Sequence, residues 1–221
     1  MMTREYSAPA GPEDAAAASF KLLSFNIMTH NYENGEAIAR MIAESGADIV
    51  NLMEAEPLLD HMEALSRTYP YRIGCGALTD ECDQLMLSKT PLLNGSVRDL
   101  SPVFGNRFIL AQTELAGQTV ALAGIHTTKP YFDDFQTFEL RRAARMLTGT
   151  DAPLVVAGDF NASSLAPNMR SFLRRTDLRT ASVEPPTWPI RLGILGLAID
   201  HIYVRSPLKI RSLTRLPDAY G

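Results

Sequence analysis

Apolar residues come in short runs, and stretches of helical period separate them. Leu22, Leu23, Phe25 and Ile27 leave residues 20–27 little polar surface, so this segment predicts a buried strand whose exit turns polar at Asn26. Ile38, Met41 and Ile42 stand at helical spacing in residues 35–45, and Gly46 follows where a left-handed cap belongs. Residues 48–54 (DIVNLME) are short, branched and mostly apolar, which predicts a second strand parallel to the first and joined to it through the helix. Leu58, Leu59, Met62 and Leu65 then repeat at helical intervals behind Pro57, up to the break at Pro70.

Residues 84–88 predict a short strand stopped by Pro91, and 107–114 with 118–125 flank Ala116-Gly117 as a hairpin whose second arm ends at His126. Phe135, Phe138, Met146 and Leu147 predict a helix that Asp133 or Asp134 caps. Residues 153–158 (PLVVAG) form another buried strand that runs into Asp159. A helix around 169–175, a proline-rich loop and a last strand at 199–204 complete the pattern. With no internal repeat or linker, the expectation is one α/β domain over residues 19–221. Two mixed sheets pack face to face in it, with helices outside. Glu54, His126, Asp159 and Asp200 each fall at or near a strand end, where polar groups gather in one crevice.

Composition narrows the partners. A formal net charge of −4 offers no overall attraction for polyanions, and Arg141, Arg142 and Arg145 fit one helix face, so nucleic-acid binding needs a local patch. Cys75 and Cys82 stand in no metal-ligand doublet, which argues against a zinc knuckle or a disulfide framework, and a bridge between them is not expected in a reducing compartment. Residues 1–18 mix prolines, acids and alanines without a basic-then-apolar stretch, as in a disordered leader rather than a secretory signal. No apolar run approaches the roughly 20 residues of a spanning helix. The expectation is a soluble, cytoplasmic monomer.

Each candidate residue carries a plain reading beside a chemical one. Glu54 follows an apolar run, and a carboxylate there is costly unless it is hydrated, paired or bound to a cation. Magnesium takes one or two carboxylates and keeps waters that a phosphate can replace. In residues 158–162 (GDFNA) the glycine admits close approach of a ligand, Asp159 can orient a water or take its proton, and Asn161 can donate to a phosphate oxygen; the plain reading is an ordinary turn. His126 can donate to a phosphate oxygen or serve structure alone. Asp200, in Asp200-His201, can orient a histidine or make a turn-to-strand ion pair. His30 is placed at the same mouth, and His61 on a helix surface.

Together, SFN at 24–26, DIVNLME at 48–54, GIH at 124–126, GDFNA at 158–162 and IDHIYV at 199–204 resemble, in order, the motifs of the endonuclease/exonuclease/phosphatase superfamily. Residues 84–91 (QLMLSKTP) also look like a strand of that family. The resemblance implies a DNase I-like four-layer α/β sandwich. In it Glu54 binds magnesium or manganese beside Asn26, Asp159 and Asn161 position water and phosphate, His126 binds phosphate, and Asp200 orients a second histidine. Water would attack a phosphate ester in line. Met28 departs from members with an acid two places after the first asparagine. Family members close with a Ser-Asp-His motif where this chain reads Pro217-Asp218-Ala219-Tyr220-Gly221, so a domain cut at its C-terminus is the expectation, one that binds metal and hydrolyses poorly.

The shared motifs read only the phosphate, and substrates of the superfamily range from nucleic acids to phosphoinositides and sphingomyelin. Lys129 and Trp188 are candidate substrate contacts; Trp188, in Glu184-Pro185-Pro186-Thr187-Trp188-Pro189, stacks on a base or sugar or else anchors its loop to the core. The competing functional class is a catalytically impaired binding or scaffold module of the same fold.

Overall fold

In the computed structural model, residues 6, 10–130, 134–217 and 220 are described. The chain opens its first sheet with β1 (Leu22–Asn26), crosses through α1 (Gly35–Glu44) and returns as β2 (Ile49–Met53), parallel to β1 and in register from Leu22 opposite Ile49 to Asn26 opposite Met53. A 3-10 turn at Glu56–His61 leads into the short helix α2 (Met62–Ser66). β3 (Tyr71–Ile73) and β4 (Gln84–Ser88) complete a four-stranded sheet of order β1-β2-β4-β3, with β4 antiparallel to both neighbours.

The second sheet has six strands: β5 (Leu93–Arg98), β6 (Phe108–Leu115), β7 (Gln118–His126), β8 (Leu154–Asp159), β9 (Leu178–Arg179) and β10 (Asp200–Arg205), in the order β5-β6-β7-β8-β10-β9. β6 and β7 form the expected hairpin through Ala116 and Gly117, both at positive φ. β7 and β8 are parallel, with α3 (Phe135–Leu147) in the crossover, and β10 runs antiparallel to β8 behind α4 (Pro167–Thr176).

Three apolar layers hold these elements together. α1 packs Ile38 and Ile42, both fully buried, on Phe25, Leu52 and Leu85 of the first sheet. Ile49, Ile73 and Met86 meet Ile109, Leu122, Val155 and Val204 between the sheets. Leu140, Ala143 and Leu147 of α3, with Met169 and Phe172 of α4, cover Ala121, Val156 and Tyr203 on the far face. Each buried aliphatic side chain withdraws roughly 1.5–3 kcal/mol of apolar surface from water. The result is the expected four-layer sandwich.

Several details depart from the sequence reading. β3, β5 and β9 were not expected; they are edge strands with weak apolar signal. Cys75 and Cys82 form a disulfide, contrary to the expectation, because Gly74 and Gly76 at positive φ fold the loop tightly enough to bring their Cα atoms to 4.4 Å. Asp134 occupies the N-cap position of α3 but its side chain makes no capping hydrogen bond there, and Asp133 lies outside the described residues. Of the leader expected without structure, Pro12–Asp14 form a 3-10 turn, Asp14 accepts hydrogen bonds from Lys209 Nζ at 2.8 and 3.1 Å, and Tyr6 bridges Thr180.

Candidate active site

Strand direction builds the site. β1, β2, β7 and β8 run toward one end of the sandwich and deliver Asn26, Glu54, His126 and Asp159 there; β4, β6 and β10 run away from it and start beside Asp83, Arg107 and Asp200. Most of these positions line one large cleft, together with Asn161, Lys129 and Trp188. His30 is exposed and does not line it, contrary to the expectation, because the turn after Met28 carries the side chain into solvent.

At the centre, Asn26 Nδ2 donates to Glu54 Oε1 at 3.1 Å and to Asp159 Oδ2 at 3.0 Å, spanning a carboxylate from each sheet. Thr29 holds the other Glu54 oxygen with its backbone N–H and its hydroxyl, both at 2.8 Å. Burial would raise the Glu54 pKa, but these donors and the facing His126 outweigh it, and the carboxyl titrates below its ordinary value. Asp159 goes the other way: its burial outweighs help from His126, the Asn161 N–H and Asn26, Glu54 adds repulsion, and its pKa is raised. Asp200 lies opposite Asp159 across the β8–β10 ladder, and burial together with that neighbouring charge pushes it up to about 6.

The backbone is bent to fit. Met28, Glu54 and Asn161 all have positive φ, which asparagine tolerates and the other two adopt at a cost of order 1–3 kcal/mol each. Gly158, at φ +152°, is required: a Cβ there would lie 1.7 Å from the carbonyl oxygen of Ile125. Asn161 donates its backbone N–H to Asp159 Oδ1 at 2.7 Å and its amide to the Thr127 carbonyl at 2.9 Å, leaving one amide hydrogen for a ligand.

Two residues of this cluster escaped the sequence reading. Asp83 takes His126 Nδ1 at 3.1 and 3.2 Å and is gripped by Arg107, whose Nε and Nη2 donate at 2.6 and 3.3 Å. Burial works against the Asp83 charge, but His126 and Arg107 overcome it and hold its pKa low. An ionised Asp83 fixes a hydrogen on Nδ1 and aims Nε2 at the mouth, 3.9 Å from Glu54 Oε1. The signal for both was present: Asp83 stands one residue before a predicted strand, and Arg107 opens the predicted hairpin. The loop that carries Asp83 is itself tied down, since Glu54 N–H donates to the Asp83 carbonyl and Ala55 N–H to that of Cys82.

His201 is not in the mouth. Alternation along β10 sends it to the opposite face from Asp200, where its side chain is fully buried. Nδ1 meets Glu184 Oε1 at 2.6 Å and Nε2 meets the Ala162 carbonyl at 2.8 Å, so both ring nitrogens face acceptors. The Asp200 side chain therefore has no imidazole beside it in β10, and its Oδ1 is buried without a hydrogen-bond partner. Among the described residues, no three His, Cys, Asp or Glu side chains close into a metal cage.

Comparison with known proteins gives a consistent picture. The Endonuclease/Exonuclease/phosphatase family model matches residues 23–219. No curated protein sequence matches. Among solved structures, a β-hairpin deletion mutant of β toxin from Staphylococcus aureus superposes with a TM-score of 0.71 at 15% identity, covering 90% of this chain and 94% of that one. The human Nocturnin catalytic domain with bound sulfate gives 0.70 at 19%, covering 91% and 89%. Sphingomyelinase C from Streptomyces griseocarneus gives 0.62 at 21%, covering 85% and 84%.

Proposed function

The chain belongs to the Endonuclease/Exonuclease/phosphatase family, and from that premise we propose that it is a divalent-cation-dependent phosphoesterase in which water attacks phosphorus in line. The observation that carries the reading is the convergence, across both sheets, of Glu54, Asn26 and Asp159 with an imidazole that Asp83 orients.

The residues fit magnesium or manganese. Glu54, Asp159 and Asp200 share the mouth, Arg107 is engaged by Asp83, and the buried Asp200 Oδ1 is unpartnered, so the mouth carries more negative charge than its own side chains offset. Glu54 and Asn26 would hold the ion, with waters completing an open set of ligands. Bound there, it supplies positive charge to phosphate oxygens and acidifies water. Asp159, with its pKa raised, is the base that takes the proton of the attacking water. His126 Nε2 faces the substrate and neutralises charge developing on its oxygens, and the remaining amide hydrogen of Asn161 donates to one of them. Lys129 and Trp188 on the cleft wall contact the rest of the substrate.

The test is magnesium-dependent hydrolysis of bis-para-nitrophenyl phosphate, plasmid DNA, RNA and inositol phosphates. Glu54→Gln, Asp159→Asn and His126→Ala should each lose most turnover with the melting temperature nearly unchanged, and unchanged rates in all three would end the reading. If magnesium raises the melting temperature of the wild type but not of Glu54→Gln, and no ester is cleaved, the protein is a binding module instead.

No helix among the described residues is long and apolar enough to cross a membrane. A monomer is the proposal for state; for place, the cytoplasm expected from the sequence is set against the Cys75–Cys82 disulfide, which persists in an oxidising compartment. Thiol titration of protein from its native host decides: two free thiols support the cytoplasm, none refutes it.

A further inference from the structure

Beside the catalytic mouth stands a finger whose surface the proposed chemistry does not use. Its root is the paired Trp188 and Leu197, joined by Trp188 N–H to the Leu197 carbonyl at 2.9 Å and Leu197 N–H to the Trp188 carbonyl at 2.6 Å. Between them the 3-10 segment Ile190–Leu195 makes the tip, with no buried residue. Six large apolar side chains face solvent here: Trp188, Ile190, Leu192, Ile194, Leu195 and Leu197, with Ile194 91% and Leu195 78% exposed. Single exposed apolar residues are ordinary on a protein surface; six within ten consecutive positions are not.

The polar content of the finger is as telling. From Trp188 to Leu197 the only side chain that can form a strong hydrogen bond, apart from the indole N–H, is the exposed Arg191, and there is no carboxylate, amide or hydroxyl. At the root, the exposed Arg215 reaches the Pro186 carbonyl at 3.4 Å. Lys209 pairs with Glu13 and Asp14 and Arg205 donates to the Thr176, Thr150 and Leu147 carbonyls, so the exposed Arg191 and Arg215 are the basic groups that flank the finger. The finger is also wired to the mouth: Thr187 Oγ1 accepts the N–H groups of Ile199 and Asp200 at 3.1 and 3.2 Å, and Trp188 and Ile190 line the cleft that holds Glu54 and Asp159.

We propose that the Trp188–Leu197 finger inserts into an anionic lipid surface and that the phosphate ester reaching the catalytic mouth is presented there, as an amphiphile. Apolar tips with basic flanks suit this occupant: acyl chains demand no directional hydrogen bonds, Arg191 and Arg215 meet lipid phosphates or carboxylates, and the aromatic ring at the root sits at headgroup depth. A protein partner would leave Arg191 as the finger's one charged handle. The substrate class rests on the phosphoesterase reading, whereas insertion does not.

The experiment uses the sole tryptophan of the chain, which lies in the finger. Vesicles of phosphatidylcholine, with and without phosphatidylserine, are added to the whole protein, and Trp188 emission and co-flotation are read. The expected result is a blue shift, quenching by brominated acyl chains and flotation with the phosphatidylserine vesicles. Ile194→Asp with Leu195→Asp should cut partitioning by about tenfold or more, since each apolar side chain withdrawn from lipid is worth at least that factor. Arg191→Glu should weaken binding to phosphatidylserine vesicles alone. Both substituted apolar positions are exposed, so turnover of soluble bis-para-nitrophenyl phosphate should stay at the wild-type level. Absence of any shift or flotation overturns the proposal, as does binding that survives the double substitution, or a dimer in solution that the double substitution dissolves while vesicles stay unbound. A protein that floats but cleaves neither the soluble ester nor phospholipid keeps the insertion and loses the phosphoesterase reading.

Discussion

Asp83→Asn is the sharpest probe of the mouth, because it changes one atom of a carboxylate that holds His126 and Arg107 at once. In the native site Asp83 accepts from His126 Nδ1 at 3.1 Å and from Arg107 Nε at 2.6 Å. An asparagine keeps one oxygen, and its amide nitrogen is a donor. Oδ2 takes both Arg107 Nε and His126 Nδ1, so the retained oxygen stays there and the amide replaces Oδ1, where a donor then faces Arg107 Nη2 and His126 Nδ1 at 3.3 and 3.2 Å. The imidazole keeps an acceptor for Nδ1–H but loses the negative partner that fixes its orientation. Removing such support costs on the order of 10²–10⁴ in rate, roughly 3–5 kcal/mol of barrier at 1.36 kcal/mol per factor of ten. The pair is partly exposed, so the stability loss is smaller, about 1–2 kcal/mol for one charged hydrogen bond. Steady-state kinetics on a soluble diester should therefore show kcat falling with KM little changed, while nitrogen NMR of His126 reports the tautomer. A kcat that holds in the variant would refute the orienting role given to Asp83 and with it the role of His126. A rate loss matched by gross unfolding would refute the claim that Asp83 acts through orientation.

Other outcomes follow from named contacts. Gly158→Ala should cost on the order of 3 kcal/mol or more, because its Cβ meets the Ile125 carbonyl of the paired strand and its φ is unsuited to alanine; chemical denaturation reads this directly. The Glu184 pKa is depressed in the fold, because His201 and nearby hydroxyls outweigh its burial. Its stabilisation is therefore fully present above the ordinary value of 4.5 and is lost as pH falls through the depressed one. Glu184→Gln should accordingly lower stability by roughly 1–3 kcal/mol near neutrality, and the gap from wild type should close in acid. Reducing Cys75–Cys82, seven residues apart, should cost about 2–3 kcal/mol from loop entropy and lower kcat as well, since Asp83 adjoins Cys82; a change in neither melting temperature nor kcat would count against the loop's role.

How much was legible depended on how strongly each residue's neighbours constrained it. Strands buried on both faces, such as β2, β4 and β8, announce themselves as continuous apolar runs, and the residues that follow β2 and close β8, Glu54 and Asp159, were found with them. β5 is largely exposed and β9 has two residues, so neither leaves a periodic trace. Asp83 and Arg107 stand at strand entrances, and only the antiparallel pairing of β4 with β2 and of β6 with β7, which no local pattern fixes, brings them to the end where Glu54 and His126 lie. His201 shows the limit of motif reading. It adjoins a site aspartate in sequence, but a period of two in a strand puts neighbours on opposite faces, and the residue that holds it, Glu184, lies in a loop whose path no local pattern fixes.

The seam under the mouth has its own consequence. Asn26 belongs to one sheet and Asp159 to the other, and deeper in, Asn51 Nδ2 reaches across to the Ala157 carbonyl at 3.2 Å. A dication or phosphate gripped from both sides would act as a rivet between two halves otherwise joined mainly by interdigitated aliphatic groups. Occupancy should then slow hydrogen exchange not only around the cleft but along β2 and β8 together, as though the slabs had been bolted at one end.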